Sequence, residues 1–109
     1  MTTLLPDAVA AYFAAKNKQD IDAMLATFAP DASVRDEGQD MRGAEQIRTW
    51  MEKTTAKYRV SVEIRETQFD GNQLNVVGLV SGNFPGSPAI LRYVFTLRDG
   101  AIVHLEIGA

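Results

Sequence analysis

The chain has 109 residues and a mass of 12.0 kDa, with 46% hydrophobic residues, 23% charged residues and a formal net charge of −3. That composition fits one folded domain over residues 1–109 and argues against intrinsic disorder. Cysteine is absent and His104 is the one histidine, so disulfide scaffolds, thiolate metal sites and cysteine nucleophiles are excluded and no metal site is expected.

The start, Met1-Thr2-Thr3-Leu4-Leu5-Pro6-Asp7, lacks the basic and apolar regions of a signal peptide. No apolar run approaches the roughly 20 residues that span a bilayer. The expected compartment is the cytoplasm, with no membrane partner. Residues 1–54 carry 6 basic and 9 acidic side chains, and residues 55–109 carry 5 of each. No basic stripe results, so no nucleic-acid partner is expected.

Apolar spacing is mostly helical up to about residue 58 and then turns strand-like. The first helix is expected from Pro6 to Lys18, since proline suits the first helical position. Val9, Tyr12, Phe13 and Lys16 share one face, with the lysine head extending to water. Asp20 reads as the N-cap of a second helix over 21–29, striped by Ile21, Met24, Leu25 and Phe28 and stopped by Pro30. Ala32–Asp36 can form a short strand, Glu37–Asp40 a loop, and 44–57 a third helix that buries Ala44, Ile47, Trp50 or Met51, and Thr54.

Four strands follow, over Arg59–Phe69, Gln73–Phe84, Ile90–Arg98 and Ala101–Ile107. Turns at Asp70-Gly71-Asn72, Pro85–Pro88 and Asp99-Gly100 separate them. Leu74, Val76, Val80 and Phe84 share a face with Gly78 and Gly82, which mark a bend or a close approach. Leu91, Tyr93, Phe95 and Leu97 face one way; Arg92, Thr96 and Arg98 face the other. In the last strand Val103, Leu105 and Ile107 should oppose Ile102, His104 and Glu106. The expected fold is α+β: a cone-shaped, curved antiparallel sheet wrapped around three N-terminal helices. Such a cone leaves a hollow between the helices and the concave face.

The runs Ala11-Tyr12-Phe13, Asp20 to Ala32, Val34-Arg35-Asp36-Glu37-Gly38, Arg42 to Ile47, and Tyr93 to Ile102 resemble the nuclear transport factor 2-like (cystatin-like) superfamily. Within it, the chain looks most like SnoaL-like domains and bacterial ketosteroid isomerases. The resemblance covers nearly the whole chain. By that likeness Asp36 stands where the isomerase base lies, just after the second helix on the short strand. Tyr12 stands where the oxyanion-holding tyrosine lies. Tyr93 falls where the isomerases carry a second donor, a neutral aspartic acid. The arginine between two aspartates of limonene epoxide hydrolases, which share the fold, has no counterpart.

The candidate catalytic residues are therefore Asp36 as base and Tyr12, with Tyr93, as oxyanion donors. Val34 and Asp36 share a strand face, which draws the carboxylate towards the hollow, where an apolar setting raises its pKa. Phe28, Val34, Trp50, Met51, Val80, Phe84, Phe95 and Leu105 are the expected walls of a site for a small hydrophobic ligand. The expected activity is that of a cofactor-free isomerase or cyclase. The alternative is a non-catalytic dimer that binds a small molecule or a protein. A homodimer is expected through the convex sheet face, where Ile90, Val94 and Ile102 lie beside Arg92, Thr96 and His104.

Overall fold

Pro6 flanks α1 (Asp7–Asn17), and its carbonyl accepts the Ala10 N–H at 3.0 Å. The computed structural model describes residues 5–108; the segment Met1–Leu4, which falls within the stretch read for leader character, and Ala109 lie outside the described residues. Asp20 caps α2 (Ile21–Leu25), its carboxylate accepting the Ala23 N–H at 3.1 Å. That helix is shorter than its apolar stripe suggests. The chain turns at Ala26–Thr27 and enters β1 (Phe28–Asp36), which contains Pro30. Pro30 therefore does not stop a helix; it lies where the β1 register shifts, a position that needs no ladder N–H.

The expected loop after Asp36 is a tight hairpin. Glu37 and Gly38 both have positive φ (53° and 75°), as a twist-matched two-residue turn requires. It leads into β2 (Gln39–Arg42), which was not expected as a strand. The third helix, α3 (Gly43–Tyr58), buries Ile47, Trp50 and Met51, but Ala44, expected on the same face, is exposed in the first turn and Thr54 is only half-buried. Then come β3 (Ser61–Asp70), β4 (Gln73–Ser81), β5 (Ala89–Arg98) and β6 (Ala101–Gly108). The sheet is curved and unclosed, with strand order β2-β1-β6-β5-β4-β3. It is mostly antiparallel, but β1 and β6 run parallel, from Phe28 beside Ile102 to Asp36 beside Ile107. Alternation within each strand carries no record of that pairing.

Two bulges shape the concave face. In β3 the partner shifts between Ile64 and Glu66, leaving Arg65 extra opposite Gly78 and Val77. In β6 it shifts between Ile102 and His104, leaving Val103 extra. An extra residue reverses which side chains face inward. Ile102 and Leu105 are consequently both fully buried. This corrects the expected facing of β6: Ile102 belongs to the core and is lost to the convex face. Beyond the bulge the expected alternation resumes, and the His104 ring bonds Ser33 Oγ at 2.7 Å, close to Glu106.

α1 and α3 pack against the concave face around an aromatic cluster. Tyr12 meets Phe13, Phe28 and Phe95 edge-on at centroid distances of 5.2, 5.8 and 5.6 Å, and Phe13 meets Tyr93 at 5.2 Å. The end of α1 is tied to the exposed edge of the sheet. The Asn17 side chain accepts the Val62 N–H at 2.7 Å and donates to the Val62 carbonyl at 3.1 Å, acting as one rung of a missing strand. The end of α3 is held by the Asn83 N–H, 2.7 Å from the Tyr58 carbonyl. That approach explains Gly82, since a Cβ there would stand 2.6 Å from the same oxygen.

Asn17→Ala should lower stability by about 1–3 kcal/mol in urea unfolding, because both backbone groups of Val62 lose their partner. Gly82→Ala should cost about 1–3 kcal/mol by overpacking against a backbone oxygen that cannot yield. A loss below about 0.5 kcal/mol in either variant, the range of ordinary surface changes, contradicts the corresponding contact.

Candidate functional site

The C-terminal end of α1, the end of β1 and the body of α3 converge on a cavity of about 230 Å³. Its polar wall consists of Lys16, Asp36, Glu37, Thr54, Tyr58 and Tyr93. Its apolar wall consists of Trp50, Val60, Val80, Phe84, Leu91 and Ile107. A larger groove of about 880 Å³ runs along the outside, between β2 and α3. It is lined mainly by surface side chains such as Gln39, Asp40, Glu45 and Lys53 and holds no buried carboxylate, so the smaller cavity is the chemical candidate. Among the described residues, no group of three or more His, Asp or Glu could hold a metal ion.

Asp36 sits at the last position of β1, opposite Gln39 and beside Ile107. Two residues earlier Val34 is fully buried, so the shared face points inward, as the alternation implies. Trp50 Nε1–H donates to Asp36 Oδ2 at 3.0 Å. Burial pushes the Asp36 carboxyl above its ordinary 3.8, and the charge of Glu37 adds to the rise. The Trp50 hydrogen bond, the Lys16 charge and the Glu37 backbone N–H oppose it. The result is a carboxylate oriented by an indole and facing a mostly apolar space.

Tyr93 lines the same cavity, and burial, with the Asp36 charge, raises its phenol. A neutral Tyr93 is thus kept as a hydrogen-bond donor. Tyr12 is placed differently. It is fully buried and does not line the cavity, and its hydroxyl has no hydrogen-bond partner. Burial raises its pKa well above the ordinary 10.0, and the nearby Tyr93 and Asp36 raise it further. The two phenols and the carboxylate therefore form one electrostatic neighbourhood.

Of the expected wall residues, Trp50, Val80 and Phe84 line the cavity. Phe28, Val34, Met51, Phe95 and Leu105 lie in the packed core instead. They face inward as expected, but at the end of the cone where α1 and α3 press directly on the sheet. The spacing missed Lys16, Glu37, Thr54, Tyr58, Val60, Leu91 and Ile107 as wall residues. Lys16 was expected to extend to water; its ammonium instead lies over the Tyr12 ring, 5.7 Å from the centroid, and lines the cavity. Burial lowers its pKa to about 8, against the raising effect of Asp36. One signal for this was present: Lys16 falls on the same face as Val9, Tyr12 and Phe13. Trp50 had a signal too, because a buried indole N–H needs an acceptor.

Residues 9–105 match the SnoaL-like domain family, and the chain belongs to that family. A Sinorhizobium meliloti protein provisionally named polyketide cyclase is 44% identical over 95% of each chain, with a TM-score of 0.92. A Catenulispora acidiphila protein with a ketosteroid isomerase-like fold, solved with trimethylamine, is 25% identical over 97% of this chain and 87% of the other, with a TM-score of 0.84. A Xanthomonas campestris protein, also provisionally named polyketide cyclase, is 25% identical over 92% and 85%, with a TM-score of 0.77. No curated protein gives a significant match.

The raised Asp36 carboxyl has a stability consequence of definite sign. The folded state binds its proton more tightly than the unfolded chain, so Asp36 favours folding while protonated. That contribution is present below 3.8 and is lost as pH rises through the folded value. Asp36→Asn stays neutral and should melt higher than the parent at pH 7, with the difference shrinking towards pH 3. A lower melting temperature for the variant at pH 7 contradicts the buried-carboxylate reading.

Proposed function

We propose that this SnoaL-like domain is a cofactor-free enzyme that moves a proton next to the carbonyl group of a small apolar compound, as isomerisation or cyclisation requires. Asp36 is the base. Tyr93 donates a hydrogen bond to the carbonyl oxygen as negative charge develops there. The observation that carries this reading is the Asp36 carboxylate, held by Trp50 on one oxygen and raised by burial, facing a mostly apolar cavity. A base poised above the ordinary carboxylate range abstracts protons more effectively near neutrality.

Tyr12 becomes the second donor in this reading where a ligand oxygen reaches beyond the cavity wall to its buried hydroxyl. A buried hydroxyl without a partner costs about 1–3 kcal/mol, and such an orphan calls for an explanation. A ligand oxygen reaching Tyr12 would remove that cost. The cavity volume narrows the substrate class. At about 230 Å³ it falls below the roughly 300–1,000 Å³ of drug-sized ligand sites. A compound with one or two rings suits it better than a four-ring skeleton. The relatives named as polyketide cyclases support the cyclase arm of the proposal. The absence of Tyr12 from the cavity wall favours the second reading, a site that binds an apolar metabolite without turning it over.

Deuterium uptake at the α-carbons of cyclohexanone and 2-tetralone in D₂O, followed by NMR, separates the two readings. The parent protein should exchange these protons faster than buffer, and Asp36→Asn should slow the exchange about 100-fold or more. Tyr93→Phe should slow it about 100-fold through loss of one oxyanion donor. Binding of both ketones without exchange selects the binding module.

The proposal includes a homodimer through the convex face. Ile90 is 51% exposed there, on the same strand face as Val94 and Thr96. Sedimentation at micromolar concentration should give twice the chain mass, and Ile90→Lys should shift it to the monomer. A parent that sediments as a monomer removes this part of the reading.

A further inference from the structure

Lys16 is the partly buried cation that the proton-transfer reading leaves unused. It occupies the last turn of α1, one turn beyond Tyr12. Lys16 lines the cavity that holds Asp36 and Tyr93. No ion pair joins it to Asp36 among the described residues, although each group feels the charge of the other. Lys16 and Asp36 thus line one small cavity. The other groups facing that space are Glu37 at the β1 turn, Tyr58 on α3 and Tyr93 on β5; Tyr12 lies beneath the amine on α1.

We propose that Lys16 is a covalent nucleophile that forms an imine with an aldehyde or ketone in this cavity. The neutral Nζ adds its lone pair to the carbonyl carbon, and a proton passes from that nitrogen to the carbonyl oxygen to give a carbinolamine. Loss of that oxygen as water, with one further proton, leaves a protonated C=N bond to Lys16. The positive nitrogen acidifies the adjacent C–H more strongly than the parent carbonyl does, and Asp36 accepts that proton to give the enamine. Hydrolysis reverses the first steps and frees the lysine. No oxidant or cofactor is needed. The substrate class narrows to compounds with an unhindered carbonyl, since the carbon must be open to attack. The inference rests on the carbonyl reading of the cavity and adds a covalent step to it.

The environment supplies the neutral amine that attack requires. At pH 7 a lysine at about 8 is about one-tenth neutral, whereas one at the ordinary 10.5 is about 0.03% neutral. Lys18, Lys53 and Lys57 provide references on the same chain.

The test is reductive trapping. The full chain is incubated at pH 7 with limiting benzaldehyde and sodium cyanoborohydride, and each lysine is quantified by peptide mass mapping. Lys16 should carry at least about tenfold more benzyl label than any of the three reference lysines, and excess cyclohexanone should suppress that label selectively. Equal labelling of all four lysines overturns the proposal, as does Lys16 labelling that cyclohexanone leaves unchanged. Asp36→Asn should keep the Lys16 label while losing deuterium exchange. Parent protein that exchanges deuterium but shows no preferred label at Lys16 removes the imine and leaves Asp36 as the base. Loss of both signals in the parent removes both readings.

Discussion

The packing of the Tyr12, Phe13, Phe28, Tyr93 and Phe95 rings is the contact on which the other features depend. Four of the pairs between α1 and the strands are edge-to-face at 5.2–5.8 Å, the geometry in which the positive ring edge meets the negative ring face. Each such pair contributes about 0.5–1.5 kcal/mol beyond its buried area. Edge-to-face packing also has direction, so it sets the rotation of α1 about its axis. Once Tyr12 and Phe13 are seated, Lys16 must lie one turn further on the same face and Asn17 must meet the edge of β3. The site and the edge protection both follow from that one rotation.

The same seating divides the interior. Near the aromatic cluster the helices press directly on the sheet, and Val34, Met51 and Leu105 close the core. Further along, the bulge at Arg65 turns β3, and Gly78 lets Val62 approach to a distance that would leave only 2.7 Å to an added Cβ. The cavity lies beyond that approach, with Val60, Val80, Phe84, Leu91 and Ile107 as its sheet-side wall. The core contains no buried polar or charged residue among those described. The interior charge is therefore gathered at the cavity, on Lys16 and Asp36. Burial opposes ionisation of both, while each charge favours ionisation of the other. The outward ion pairs Arg35–Asp40, Arg48–Asp22 and Arg98–Asp31 are exposed and contribute little, about 0–1 kcal/mol each.

Much of this was legible in the residues. The Asp20 cap, the Asp99-Gly100 turn, the three helices and the inward face of Val34 and Asp36 are local matters, decided by chemistry within a few positions. The early end of α2 was hidden because Phe28 continues the helical stripe while serving as the first residue of β1. The β2 strand was hidden because Gln39–Arg42 is too short and polar to show alternation. Ile102 was misplaced because an extra residue in β6 shifts the phase without leaving a mark such as glycine.

By itself, then, the amino-acid sequence determined most of the elements, the direction in which most side chains face, and the chemistry open to a chain with no cysteine and one histidine. Those properties repeat with the helical and strand periods and depend on near neighbours. Only the tertiary structure decided which inward side chains pack and which line open space. It also decided that β1 runs parallel to β6 and that Lys16 and Asp36 line one cavity. These depend on sheet curvature and on contacts between residues far apart in the chain, and no period along the sequence records the distance between two faces.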